Sequence, residues 1–512
     1  MEIIDNKALL LKVRNPQQIT TVIPKSKELP GNKVVVHWGL DEAQVLRNMR
    51  IKNVPSPIMG RYDWPGQHAP FDHQRTTAAF LTMNRRAFCL NEQGTGKTGS
   101  VIWAADYLMK AGKVKRVLVI CPLSIMDSAW RADLFKFAMH RNVDIAYGAK
   151  DKRRAVINGP AEFVIINYDG VEIVADDIAR GGFDLIVVDE ANAYKNAQTK
   201  RWKILNSLLK ADTWLWMLTG TPAAQSPLDA YGLAKLVNPK GVPTYFTSFK
   251  DMVMYKISNY RWIPKETATQ TVFNALQPAI RFTKDECLDL PEMTYVKRTV
   301  ELTKQQQKYY DLLKKRMVIQ AAGEEITSVN AAVAMSKLLQ ISCGAVYSDT
   351  GETLEFDISK RYNVLKEVID ESSQKVLIFV PYKHVIGILS QKLTEDGYTN
   401  AVISGDVPAG KRADIFRDFQ NNPDPRVLVI QPQSAAHGVT LTAANTVVWW
   451  GPTASLETYA QANARVHRSG QRHPSTVVQL VGSGVERHVY NLLDNKIDVH
   501  AKIVDLYKEI LE

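Results

Sequence analysis

The sequence predicts an α/β protein: two tandem parallel-sheet lobes, a helical insertion between them and a small α+β module at the N-terminus. Short apolar runs alternate with helical stretches over residues 67–240 and again over 356–512. Runs that are apolar at every position suit strands buried on both faces, as in a parallel sheet covered by helices. Residues 241–355 lack that rhythm, and helix formers dominate from Thr303 to Gln340. Residues 1–66 are cut into short pieces by Pro30-Gly31, Pro55, Pro57 and Pro65-Gly66.

In the N-terminal module, Lys33–Trp38 is rich in β-branched and aromatic residues and reads as a strand. Asp41–Arg50 reads as a short helix capped by Asp41. Lys25, Lys27, Arg47, Arg50, Lys52 and Arg61 interleave with Trp38, Tyr62 and Trp64. This mixture suits either a grip on single-stranded or branched ends by stacking or a packing module whose aromatics form a core. The first lobe, 67–240, offers strands at Ala87–Leu90, Val117–Ile120, Phe163–Ile166, Leu185–Val188 and Trp214–Leu218. A helical connector is expected over 241–355. The second lobe, 356–512, offers strands at Val376–Val380, Val427–Ile430, Thr446–Trp450 and Val477–Val481, with a closing helix over 485–512.

Composition bounds the possibilities. The chain has 512 residues, 64 of them Lys or Arg against 53 Asp or Glu, a net charge of +11. That excess favours polyanion partners. A hydrophobic fraction of 45% excludes wholesale disorder. No apolar run reaches the roughly 20 residues that span a bilayer, and the first residues lack a signal-peptide core. A soluble intracellular protein without a membrane partner is expected. Its place would be the cytoplasm of a prokaryote or of a virus-infected cell, or the nucleus of a eukaryote. Cys89, Cys121, Cys287 and Cys343 are far apart and are expected to be buried thiols.

Four motifs carry chemistry. Asn91-Glu92-Gln93-Gly94-Thr95-Gly96-Lys97-Thr98 joins a strand to a helix with phosphate-loop spacing, Asn91 standing at the first glycine position. Gly94, Thr95 and Gly96 would turn their N–H groups toward phosphate oxygens. Lys97 would reach the β and γ phosphates, and the Thr98 hydroxyl would hold Mg²⁺. Asp189-Glu190-Ala191-Asn192 follows the strand Leu185–Val188. There Asp189 would coordinate Mg²⁺ and Glu190 would polarise the attacking water. Leu218-Thr219-Gly220-Thr221-Pro222 ends another strand and could sense the phosphate state. Arg465 and Arg468 are three apart, so on a helix they would share a face and could act as arginine fingers.

In this order the motifs resemble helicase superfamily two, and within it the SWI/SNF-like DNA translocases, over about residues 68–495. Pro70-Phe71-Asp72-His73-Gln74 resembles the Q motif, whose glutamine reads adenine, which implies that role for Gln74. Cys121-Pro122-Leu123-Ser124-Ile125 with Trp130 resembles motif Ia, which implies a DNA-strand contact at Pro122. Asp189 to Asn196, with Lys195-Asn196 in place, resembles the family's DEAH-x-x-KN signature. Val376–Tyr382, Ser404-Gly405-Asp406 with Arg412, and His467-Arg468-Ser469-Gly470-Gln471 are similar to later motifs, and Val485-Glu486-Arg487 is similar to the helix after them.

Three departures stand out: Asn192 where His or Gln is usual, Ala435 and Ala436 where motif V carries glycines, and Thr440 where asparagine is common. The resemblance implies two RecA-like lobes that bind ATP and Mg²⁺ and track double-stranded or branched DNA. It is nearest the compact fork-remodelling branch, of viral or bacterial type, with a monomer as the default. Further phosphate contacts are expected from Arg131, Lys195, Lys200, Arg201 and Arg412. The alternatives are a motor that displaces proteins from DNA and a catalytically silent DNA-binding scaffold.

Overall fold

A strand that is buried on both faces must place alternate side chains into two different cores, and the sheets here do so. In the strand Val117–Cys121, Leu118 and Ile120 join one apolar cluster, while Val117, Val119 and Cys121 join the cluster on the opposite face. In Lys375–Phe379, Leu377 and Phe379 are on one side, Val376 and Ile378 on the other. Each such side chain contributes roughly 1.5–3 kcal/mol by leaving water, and this selects parallel sheets sandwiched by helices.

The computed structural model describes residues 1–220, 222–223, 226–257, 262–287, 290–323, 328–347, 353–435, 439–468 and 470–495. The chain divides into two compact units, Met1–Cys287 and Leu288–Glu512. The division falls inside the segment 241–355, which sequence treats as one connector. Its two parts go to different units.

The first unit opens with a four-stranded antiparallel sheet of β1 (Glu2–Ile4), β2 (Ala8–Lys12), β3 (Ser26–Leu29) and β4 (Lys33–His37), in the order β1-β2-β4-β3. Leu9, Leu11, Val34 and Val36 alternate inward to pack with Ile19, Trp38 and Leu46. The helix Leu40–Asn48 is capped by Gly39. Asp41, expected as the cap, sits in the first turn and pairs with Lys113 at 2.6 Å. A seven-stranded parallel sheet follows: β5 (Arg86–Cys89), β6 (Val117–Cys121), β7 (Val143–Ala146), β8 (Phe163–Asn167), β9 (Leu185–Val188) and β10 (Trp214–Leu218), then, after the hairpin β11 (Met254–Lys256) and β12 (Trp262–Pro264), β13 (Ala279–Ile280). Its order is β13-β5-β10-β9-β6-β8-β7. The edge strand β13 extends past the sheet along the loop after β5. Leu90 N–H donates to Ile280 O at 2.8 Å, and Glu92 N–H to Phe282 O at 2.9 Å.

The second unit has its own six-stranded parallel sheet. Its strands are β14 (Met293–Thr299), then, after the hairpin β15 (Ala345–Tyr347) and β16 (Thr353–Glu355), β17 (Lys375–Phe379), β18 (Asn400–Ile403), β19 (Val427–Ile430), β20 (Ala444–Trp449) and β21 (Ser475–Val481). The order is β14-β21-β20-β17-β19-β18. Two helices, Lys304–Gly323 and Ser328–Cys343, form the helical insertion after β14. A buried ion pair ties this unit together. Arg361 donates from one guanidinium nitrogen to both oxygens of Glu486, at 2.7 and 2.8 Å, and also donates to Trp450 O. The closing helix is Gly484–Asp494; residues 496–512 lie outside the described set. Among the described residues, no helix is long and apolar enough to cross a membrane.

Candidate functional site

Three of the motifs meet at the C-terminal ends of three neighbouring strands, β5, β10 and β9, where open α/β sheets bind their ligands. β5 feeds the phosphate loop. Gly94 and Gly96 have φ of 86° and 77°, left-handed values that glycine takes without strain. A Cβ on Gly96 would lie 2.1 Å from Gln74 Nε2. The helix Lys97–Lys110 begins directly after Gly96, which supplies no capping side chain. Its first N–H groups and the positive end of its dipole are therefore available to an anion. The Lys97 ammonium lies inside the loop and donates to Asn91 O at 2.8 Å and Glu92 O at 3.3 Å.

The loop is braced from several directions. Asn91 is fully buried, donates to Thr77 Oγ1 at 2.8 Å and accepts from Phe282 N–H at 3.0 Å. The residue that departs from the glycine pattern thus stitches a helix, the loop and the last segment of the unit together. His73 bonds to Thr95 O at 2.8 Å. Gln74 has its oxygen on Phe71 N–H at 3.0 Å and its amide nitrogen 3.4 Å from Gly96 O. It is buried and committed to the loop backbone, so in this state it supports the loop and does not stand open to a base. Thr95 is also buried, its hydroxyl on Glu92 O at 2.8 Å; its side chain shapes the loop. Thr98 occupies the first turn of the helix and is half-buried.

β9 ends at the carboxylate pair. Asp189 Oδ1 accepts Glu190 N–H at 2.9 Å, and Oδ2 accepts the Trp130 indole N–H at 2.9 Å. The Tyr168 hydroxyl donates to Asp189 O at 2.6 Å and lies 3.2 Å from Glu190 O. Burial, then the nearby Asp189 and Glu190, hold the Tyr168 phenol well above its usual pKa. Glu190 has φ of 46°, unusual for a residue with a side chain and a kind of strain that clusters at functional sites. Sequence reasoning missed the Asp189 holders: Trp130 comes from the turn Met126–Arg131 beyond β6 and Tyr168 opens the helix directly after β8, and only the place of Tyr168 at a strand end could have flagged it. From β10, Thr219 N–H donates to Cys89 O at 3.1 Å, and a Cβ on Gly220 would stand 3.4 Å from Gln93. Thr221 is not among the described residues.

The residues present fit a nucleoside triphosphate with Mg²⁺: an ammonium, an open helix N-terminus, a first-turn hydroxyl and a carboxylate fixed at both oxygens. Thr98 and Asp189 are the residues that would hold the ion. Among the described residues no cluster of three or more His, Cys, Asp or Glu could hold a metal ion by itself.

In the second unit the structure corrects one expectation. The helix Leu456–Asn463 ends before Arg465, so Arg465 and Arg468 lie in the turns beyond it and do not share a helical face. The turns are held by Gln471, whose amide nitrogen donates to Ala444 O at 2.8 Å and contacts Val466 O at 3.3 Å. Arg465 is buried; Arg468 is half-buried and donates to Val439 O at 3.1 Å. Leu441 N–H donates to Arg465 O at 3.0 Å, so exposed Thr440 lies between two residues that these arginines bind. Ala436, His437, Gly438 and Ser469 fall outside the described residues.

The expected nucleic-acid contacts fare unevenly. Pro122 is buried at the end of β6, so its side chain cannot contact a strand directly; Leu123 beside it is exposed. Lys195 pairs with Asp229 at 3.3 Å, Arg201 with Asp169 at 2.7 Å, Arg131 with Asp127 at 2.6 Å and Lys200 with Glu172. Arg412 donates to Val407 O and Gly405 O. A phosphate at any of them must compete with an internal partner. In the N-terminal module, Trp38 is 1% exposed and Tyr62 is 7% exposed, so neither is a stacking platform. They are core and fastener: Trp38 donates to Pro55 O, and Tyr62 donates to Asp106 at 2.7 Å. Arg47 and Arg61 are likewise bound to backbone carbonyls. Cys89, Cys121 and Cys343 are buried as expected, burial pushing the Cys89 thiol up to about 11, whereas Cys287 is only partly buried.

Comparison with known proteins agrees with this geometry. Residues 73–344 match the SNF2-related domain, and residues 360–470 match the Helicase conserved C-terminal domain. Protein p41 of Acyrthosiphon pisum secondary endosymbiont phage 1 is 26% identical over 73% of this chain and 83% of its own length. An uncharacterized ATP-dependent helicase of Mycoplasma genitalium is 24% identical over 80% of this chain and 40% of its own. The Caenorhabditis elegans homolog of SWI/SNF-related matrix-associated actin-dependent regulator of chromatin subfamily A-like protein 1 is 25% identical over 90% of this chain and 65% of its own. The chain therefore spans most of the phage relative but only about half of several others. A solved structure, the Sulfolobus solfataricus SWI2/SNF2 ATPase core in complex with dsDNA, is 22% identical, covering 87% of this chain and 94% of that one, with a TM-score of 0.42. With the SNF2-related domain covering more than half of its length and a helicase C-terminal domain behind it, the chain belongs to the SNF2-related family of helicase superfamily two and has that family's ATPase core.

Proposed function

We propose that this protein is an ATP-driven motor that translocates on double-stranded DNA and remodels branched DNA by fork regression, branch migration or strand annealing. The observation that carries the ATPase half is the meeting of the phosphate loop, Thr219 and the Asp189–Glu190 pair on three adjacent strand ends. Lys97 is assigned to the β and γ phosphates, and Gly94, Thr95 and Gly96 to the loop around them. Thr98 and Asp189 are assigned to Mg²⁺, which when bound neutralises charge that develops on the phosphates. Glu190 orients the attacking water and takes its proton. Arg465 and Arg468 are assigned as fingers from the second unit.

Two things support the DNA half. The net charge is +11, and contacts to phosphate suit a motor indifferent to sequence. Arg47, Arg85, Arg86, Lys113 and Trp214 also line a cavity of about 550 Å³ on the seam between the N-terminal module and the first sheet. Exposed Arg85 lies over the Trp214 ring at 5.8 Å, a cationic and aromatic surface of the kind that holds unpaired ends.

The test is remodelling of a synthetic fork and a mobile four-way junction. Wild-type protein should convert both with ATP. Lys97→Ala should convert neither, while binding the same DNA within about twofold of wild type. Displacement of a bound protein from plain duplex without any branch conversion would leave only the protein-stripping motor. ATP hydrolysis at the wild-type rate in Lys97→Ala would overturn the phosphate-loop assignment.

A further inference from the structure

The segment after β6 has two faces with different duties. Beyond Cys121 the chain makes a 3₁₀ turn at Leu123–Ile125, a π-helix at Met126–Arg131 and an α-helix at Ala132–Phe137. π turns are uncommon and concentrate at functional sites. Here Met126, Trp130 and Leu134 face inward, 4% exposed at most. Leu123, Asp127 and Arg131 face outward, Asp127 and Arg131 joined in an ion pair. On the inner face, Trp130 supplies the hydrogen bond to Asp189 Oδ2. The other carboxylate oxygen is held by the backbone of Glu190. One of these two holders of Asp189 therefore rides on a short helix whose opposite face is open.

We infer that Trp130 is a positioning residue: its indole N–H fixes the Asp189 carboxylate for the metal–nucleotide complex. This rests on the assignment of Asp189 proposed above. The physical basis is that a ligating carboxylate free to turn presents its oxygens in the wrong direction. Removing an outer hydrogen-bond partner of a metal ligand costs about 10–100-fold in metal affinity or activity.

Trp130→Phe keeps the aromatic body and removes the donor. Trp103→Phe is its control: Trp103 lies in the same apolar core, is equally buried and donates to a backbone carbonyl, Pro65 O, at 2.8 Å. Binding of methylanthraniloyl-ADP is titrated with Mg²⁺ by fluorescence. Trp130→Phe should raise the half-saturating Mg²⁺ about tenfold or more. Nucleotide affinity in EDTA should stay within about twofold. Trp103→Phe, with a similar loss of melting temperature, should keep the wild-type Mg²⁺ titration. If the two variants titrate alike, the inference is overturned. Asp189→Asn separates the two layers. A wild-type Mg²⁺ titration in Asp189→Asn removes the underlying assignment, whereas a lost one beside an unchanged Trp130→Phe removes only the role of Trp130. Should Trp130→Phe not fold, the wild-type protein decides: the Trp130 indole N–H resonance should shift when Mg²⁺ is added to the ADP complex, and an unmoved resonance would overturn the inference.

Discussion

Asn91 shows how a departure from a motif becomes intelligible only in three dimensions. A glycine there would satisfy the phosphate-loop pattern, yet the side chain present makes two hydrogen bonds in a fully buried position. Deleting a partner from a buried polar group costs about 1–3 kcal/mol. Asn91→Gly should therefore destabilise the first unit, lowering its melting temperature by several degrees at about 2–4 °C per kcal/mol. Faster amide exchange at Phe282 should accompany this loss. An unchanged or higher melting temperature would mean that the stitch carries no load. At this scale the sequence was legible where chemistry follows linear spacing. Lys97, Thr98, Asp189 and Glu190 can be named as candidates because a loop and a strand end fix their order. It was illegible where partners come from distant segments: Trp130 is 59 residues from Asp189, and Tyr168 is 21. Gln74 and Pro122 show a related gap, since a motif names a residue but not whether its side chain is already committed or buried.

The helix Lys97–Lys110 starts at the phosphate loop and carries Asp106, a fully buried carboxylate, near its other end. Burial by itself raises the pKa of Asp106. Hydrogen bonds from Tyr62 and Arg141, the Arg141 charge and His140 outweigh that and hold the carboxyl below its usual range. Because the folded value is depressed, the stabilisation is present above the unfolded carboxylate pKa of about 3.9. It is lost as pH falls from there through the folded value. Melting temperature should therefore drop more steeply with acid below about pH 4 in wild type than in Asp106→Asn, which should be less stable at neutral pH because Arg141 loses its partner. Parallel acid limbs in the two proteins would contradict this. Among elements, strands apolar at every position were legible, because only a doubly covered sheet asks for them. Edge strands were not. β14, with the sequence MTYVKRT, has one face in solvent and looks polar, so it was absorbed into a helical connector. The two-residue β13 carries no pattern of its own; its place beside β5 comes from pairing alone.

At the scale of the whole molecule, two parallel sheets, a basic balance of charge and an ordered set of motifs make a helicase-type ATPase core. The doubling of the lobe was legible because its apolar rhythm stops and restarts. The boundary was not: it lies at Cys287–Leu288, among short strands and turns whose composition does not change there. The central claim is that hydrolysis in this core is driven by duplex DNA. The most direct measurement is the steady-state ATPase rate at fixed salt with no nucleic acid, single-stranded DNA, duplex DNA, forked DNA and RNA. The account predicts strong stimulation by duplex and forked DNA and little by RNA. Stimulation by RNA alone, or no hydrolysis under any condition, would contradict it.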